Sequence, residues 1–79
     1  MDIKNLKMLA ENYSFEELQK FADDFENTGV ATVKTSEEAG DQMSDYLMAA
    51  EVRFLMDKEK ISLQEAVREF SKRVRGVLT

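Results

Sequence analysis

Chemistry at a protein site starts from nucleophiles, general bases and metal ligands, and this chain is short of all three. It has no His and no Cys. That excludes a disulfide scaffold, a zinc finger and a thiol nucleophile, and it removes the commonest general base. Carboxylates are plentiful, but Asp23/Asp24 and Glu37/Glu38 are immediate neighbours. Adjacent residues on a helix do not face each other, so neither pair is set up for acid–base work. No nucleophile–base pair emerges from the spacing. Tyr13 and Tyr46 read as packing residues rather than proton donors. No catalytic residue, cofactor or metal ligand is assigned.

Three binding patterns fall short of their requirements. Asp24, Glu26, Thr28 and Gly29 take the first, third, fifth and sixth places of a calcium loop, but the twelfth is Thr35. A bidentate Glu is needed there to close the coordination sphere. An acidic helical chain of this length is similar in outline to acyl carrier proteins, which need an Asp-Ser-Leu motif at a helix start. Here Ser44 precedes Asp45 and lies about two turns inside a helix. The basic cluster Arg68, Lys72, Arg73 and Arg75 could touch phosphate, but the chain is acidic overall and offers no aromatic stacking platform. Dipole compensation and salt bridges to a partner explain the cluster, so no nucleic acid is expected. Met43, Met48 and Met56 suit an adaptable binding surface and, more simply, core filling.

Length and charge narrow the class further. A chain of 79 residues is one domain, 1–79. At 43% apolar residues it can form a core. Chains this short bury only roughly 60–65% of their unfolded surface, and a partner subunit is a common supplement. The longest apolar run is Tyr46–Ala50, far below the roughly 18 residues that span a bilayer. The first residues carry no apolar block with a small-residue cleavage site. A cytoplasmic protein with no membrane partner is the expectation. Residues 1–52 hold twelve acids and four bases, a net charge of −8, while residues 53–79 hold seven bases and four acids, +3. The asymmetry is suited to orienting a second copy or another protein.

The elements that would position these groups are all helical. A helix over residues 3–11 is capped by Asp2 and lined by Ile3, Leu6, Leu9 and Ala10. The next opens on the capping box Ser14/Glu17, with Tyr13 and Leu18 as a hydrophobic staple. Leu18, Phe21, Ala22 and Phe25 give its buried face, Phe15 its edge, and Asn27–Thr28–Gly29 its end. Val30–Thr35 alternates weakly and reads as a connecting loop; the alternative is a strand, which could pair only with the same strand of a second copy.

The central stretch, Ser36–Asp57, reads as one helix of about six turns, capped by Thr35 with Glu38. Met43, Leu47, Ala50 and Phe54, widened by Tyr46, form one apolar stripe, expected to lie on the core. Met48, Val52 and Leu55 form a second stripe, well over 90° away at about 100° per residue. Gly40 is unfavourable in a helix by about 1 kcal/mol against Ala, and reads equally as a frayed turn or as a close approach by another backbone. After a short connection, Lys58–Ile61, a third capping pair, Ser62/Glu65, opens the last helix. Leu63, Val67, Phe70, Val74 and Val77, with Ala66, make a coiled-coil-like seam that ends at Gly76. The short connection makes the two long helices antiparallel neighbours.

Three segments in order carry a resemblance. EEAGDQM opens the central helix, with Gly40, Asp41, Gln42 and Met43 as its pattern; YLMAAEV follows; SLQEAVREFSKRVRG closes the chain with Arg73, Val74 and Arg75. With the opening IKNLKMLAENYSFEEL, the chain resembles a family of short uncharacterised bacterial proteins, a domain of unknown function. The resemblance implies a small helical bacterial protein and transfers no functional residue.

The resulting expectation is an all-α domain: two short N-terminal helices, then a long antiparallel hairpin, bundled as a dimer. Helices one, two and four leave the second stripe of the central helix short of cover, so Met48, Val52 and Leu55 are expected to form a dimer interface. The function expected is that of a non-enzymatic structural or protein-interaction module. The alternative is a small-molecule or acyl-group binder with its site between helices.

Overall fold

The computed structural model describes residues 3–78, with side chains through Arg73. Its helices are α1 (Ile3–Asn12), α2 (Phe15–Thr28), α3 (Ala39–Glu59) and α4 (Leu63–Leu78), and there is no strand among the described residues. α3 touches each of the other three, so it is the central element that its length and double stripe suggest.

The first two helices are short and hold by packing. α1 buries Leu6, Leu9 and Ala10 completely, and α2 buries Leu18 and Ala22. Each fully enclosed Leu contributes about 1.5–3 kcal/mol, which offsets the marginal stability of a ten-residue helix. Ile3, expected among the lining residues, is 47% exposed. The proposed cap Asp2 lies outside the described residues. At the start of α2 the capping box is complete: the Ser14 hydroxyl accepts the Glu17 N–H, and the Glu17 carboxylate accepts the Ser14 N–H at 3.0 Å. Tyr13 packs edge-on against Phe21 at 5.0 Å, a turn beyond Leu18. At the other end Gly29 takes the left-handed conformation (φ 75°) and donates its N–H to the Phe25 carbonyl. Only a residue without Cβ does that at no steric cost.

α3 starts later than its sequence suggests. Glu38 is its N-cap and makes no side-chain cap bond. The Thr35/Glu38 capping box does not form, because Thr35 is engaged elsewhere. The helix closes on Lys60 (φ 53°), whose N–H, with that of Ile61, reaches the Met56 carbonyl. The left-handed turn reverses the chain within residues 60–62. The Ser62 hydroxyl then accepts the Glu65 N–H at 3.2 Å to open α4. Glu51 and Arg73 meet at 4.0 Å. They lie at similar distances on either side of the turn, as antiparallel neighbours must. α4 continues through Gly76 to Leu78, because one glycine weakens a helix by about 1 kcal/mol without stopping it. Ala66, Val67 and Phe70 of the expected seam are buried; the side chains of Val74 and Val77 lie outside the described residues.

Candidate functional site

The connection from Gly29 to Glu38 has no ladder or helix to satisfy its backbone, so side chains must do so. Gln42 and Tyr46, four apart on one face of α3, do most of it. Gln42 is 1% exposed. Its Oε1 accepts the Thr35 N–H at 2.8 Å and the Ser36 N–H at 3.3 Å. Its Nε2 donates to the Val33 carbonyl at 3.2 Å and to the Thr35 hydroxyl at 3.0 Å. The Tyr46 hydroxyl donates to the Val33 carbonyl at 2.8 Å and accepts the Val33 N–H at 3.1 Å. Thr35 Oγ1 donates to Asp45 Oδ2 at 2.6 Å, and Asn5 of α1 donates to the Thr35 carbonyl at 3.1 Å.

Val33 and Thr35 therefore use both their N–H and C=O groups on side chains. Residues two apart face the same way, as in a strand. The weak alternation of Val30–Thr35 has a structural counterpart in this extended segment, whose pairing partner is the side of a helix. We call it the latch. Gln42 belongs to the Gly-Asp-Gln-Met pattern, and that pattern shows no sign of this role. The usable signal is a polar–polar–aromatic triplet at helical spacing opposite a ten-residue connection.

Beside the latch lies an open cleft of about 380 Å³, lined by Asn5, Ser36, Asp41, Ser44, Asp45 and Met48 among others. Asp45 is 4% exposed and accepts a hydrogen bond from the neutral Thr35 hydroxyl. The cleft offers carboxylates, hydroxyls and an amide.

The other patterns are dispersed. Asp24, Glu26 and Thr28 lie within α2, where Thr28 bonds back to the Asp24 carbonyl at 2.7 Å, and Thr35 is in the latch. Among the described residues no three acidic groups could hold a metal ion. Ser44 is exposed on α3, in its second turn. Lys72 pairs with Glu69 at 3.7 Å and Arg73 with Glu51. The Arg75 side chain lies outside the described residues.

The expected dimer interface requires correction. Val52 is 0% and Leu55 1% exposed, and Met48 is partly buried against the same core. The stripe is covered from within the chain, so Val52 and Leu55 are core residues and Met48 packs against the core at its edge. The other stripe, expected to lie on the core, is divided: Tyr46 and Ala50 are buried, while Leu47 is 54% and Phe54 40% exposed. Phe54 is bounded on the α2 side by Phe15, ring centroids 5.6 Å apart, and Glu51 on the α4 side by Arg73. The outward side of α3 thus runs between α2 and α4.

No curated protein matches the chain, and no solved structure does. The model of a family of unknown function, DUF6952, matches residues 1–79. No helix among the described residues is long and apolar enough to cross a membrane.

Proposed function

We propose, for a chain that belongs to the family of unknown function DUF6952, that it is a non-enzymatic protein-interaction module of the cytoplasm, working as a homodimer through the outward side of α3. The observation that supports this reading is the exposure of Leu47 and Phe54 on a helix otherwise buried around most of its circumference. Single exposed apolar residues are ordinary. Here two large ones share a helix side, with Phe15 beside Phe54, and Glu51, paired with Arg73, between them. Apolar anchors beside charges that already have a partner suit a protein contact. A two-fold partner presents the same surface twice, and it adds buried area to a small core.

Sedimentation velocity tests the reading. The wild type is expected to be a dimer in the micromolar range, and Leu47→Asp a monomer with unchanged helix content. A wild type that is monomeric at high micromolar concentration overturns it.

A second reading, a binder of a small molecule between helices, is supported by the cleft beside Asp45. Native mass spectrometry of protein purified from its own host should then show mass above the bare chain, lost in Asp45→Asn. The bare mass in the wild type removes this reading.

A further inference from the structure

We infer that α3 packs against α3 of a second copy in antiparallel orientation, with Gly40 and Ser44 of each chain receiving Lys58 and Phe54 of the other. The inference rests on the homodimer reading above and adds its geometry. Gly40, Ser44, Leu47, Glu51, Phe54 and Lys58 are all exposed. Their spacings are four, three, four, three and four, which places them along one side of the helix as a coiled-coil seam.

The seam is graded. Its small residues are at the N-terminal end and its large ones at the C-terminal end. Lys58 already lies along it, its Nζ 5.6 Å from the centroid of the Phe54 ring. A parallel, in-register pair would set each residue against its own copy. Glu51 would then meet Glu51, Lys58 would meet Lys58, and Gly40 would meet Gly40 across a gap. Like charges facing each other are a means of excluding an arrangement. An antiparallel pair sets Gly40 against Lys58, Ser44 against Phe54 and Leu47 against Glu51, each twice by symmetry. Small meets large at Gly40/Lys58 and Ser44/Phe54, and no seam charge meets its own kind.

Two further observations agree. Glu38 and Asp41 are exposed at the N-terminal end of α3, where Glu37 is taken by Lys34 at 3.0 Å. Lys58, Glu59 and Lys60 are exposed at its C-terminal end, where Asp57 is taken by Arg53 at 3.3 Å, so that end keeps a small positive excess. Antiparallel pairing brings the acidic end of one helix to the lysines of the other and opposes the two helix dipoles. Gly40 is a poor helix former, and a Cβ built on it would meet nothing within 4 Å. Its own chain does not require a glycine there. A side chain arriving from a second copy does.

The chain has no native Cys, so single-cysteine variants test the geometry directly. Gly40→Cys and Lys58→Cys are oxidised separately and as an equal mixture. The expected result is a disulfide between the two variants in the mixture and none in either alone. Gly40→Leu, which the free chain has room for, should keep the wild-type helix signal and raise the dimer Kd about tenfold or more. A disulfide within either single variant shows a parallel pair and overturns the inference. So does a dimer that neither cross-links in the mixture nor weakens in Gly40→Leu; the homodimer reading survives both outcomes. A monomeric wild type removes the homodimer reading and this inference together.

Discussion

Val52 and Leu47 are aliphatic residues five positions apart on α3, yet Val52 is fully buried and Leu47 is 54% exposed. Their own hydropathy does not explain the difference; their surroundings do. On the Val52 side, Ala49 is fully enclosed, as are Ala10 of α1 and Ala66 of α4. Small residues let helix axes come close, and larger neighbours such as Leu6, Leu55 and Phe70 fill the space around them. On the Leu47 side, Ser44, Glu51 and Lys58 share the surface. Covering those groups within the chain would take the charges of Glu51 and Lys58 out of water, which is costly. The same helix therefore presents a packing side and an exposed side, the contact side of the proposed dimer.

Substitutions on the two sides should separate them sharply. The largest effect is expected for Val52→Asp, which places a charge in an enclosed apolar site. The cost should exceed about 4 kcal/mol and abolish the cooperative unfolding transition. If Val52→Asp stays folded and only changes association, the packing side has been misplaced. Phe70→Ala, on the face of α4 turned to that side, should lower stability by roughly 3–5 kcal/mol in chemical denaturation. A loss below about 0.5 kcal/mol, ordinary for surface sites, would show that α4 does not seal the stripe.

Gln42→Leu tests the latch. It strips the bonds at the Thr35 and Ser36 N–H groups and one of the two at the Val33 carbonyl, and should cost about 1–3 kcal/mol. Hydrogen exchange at the Thr35 and Ser36 amides should accelerate, with the amides of α4 unaffected at subglobal opening. Unchanged exchange at Thr35 would mean that the connection holds without Gln42. The smallest effect belongs to the contact side: Leu47→Ser should change monomer stability by no more than about 0.5 kcal/mol. A loss of several times that would place Leu47 with Val52 in the core and dissolve the distinction.

Parts of this structure are legible residue by residue. The helix periods of α1, α2 and α3, the Ser14/Glu17 box and the Gly29 stop depend on neighbours within four positions. So do the two apolar stripes of α3, whose angular separation follows from helix geometry alone. The Thr35/Glu38 box has the same local form as Ser14/Glu17 and does not appear. Thr35 donates instead to Asp45, ten residues away, and Gln42 holds its backbone. A local rule fails there because a distant set of partners satisfies more polar groups at once.

The sequence by itself determined the helices, most of their ends, and the fact that α3 carries two apolar stripes. The tertiary structure alone decided that Val52 and Leu55 are enclosed while Leu47 and Phe54 reach solvent. Periodicity states how far apart two stripes lie around a helix. It carries no information on which side the neighbouring helices arrive from. That side depends on the path of the connections: the latch sets how the chain passes from α2 to α3, and the left-handed turn at Lys60 sets how α4 returns. Both act between groups that hydrophobic spacing does not relate, through the need of buried backbone for hydrogen-bond partners and the limited room for a chain reversal.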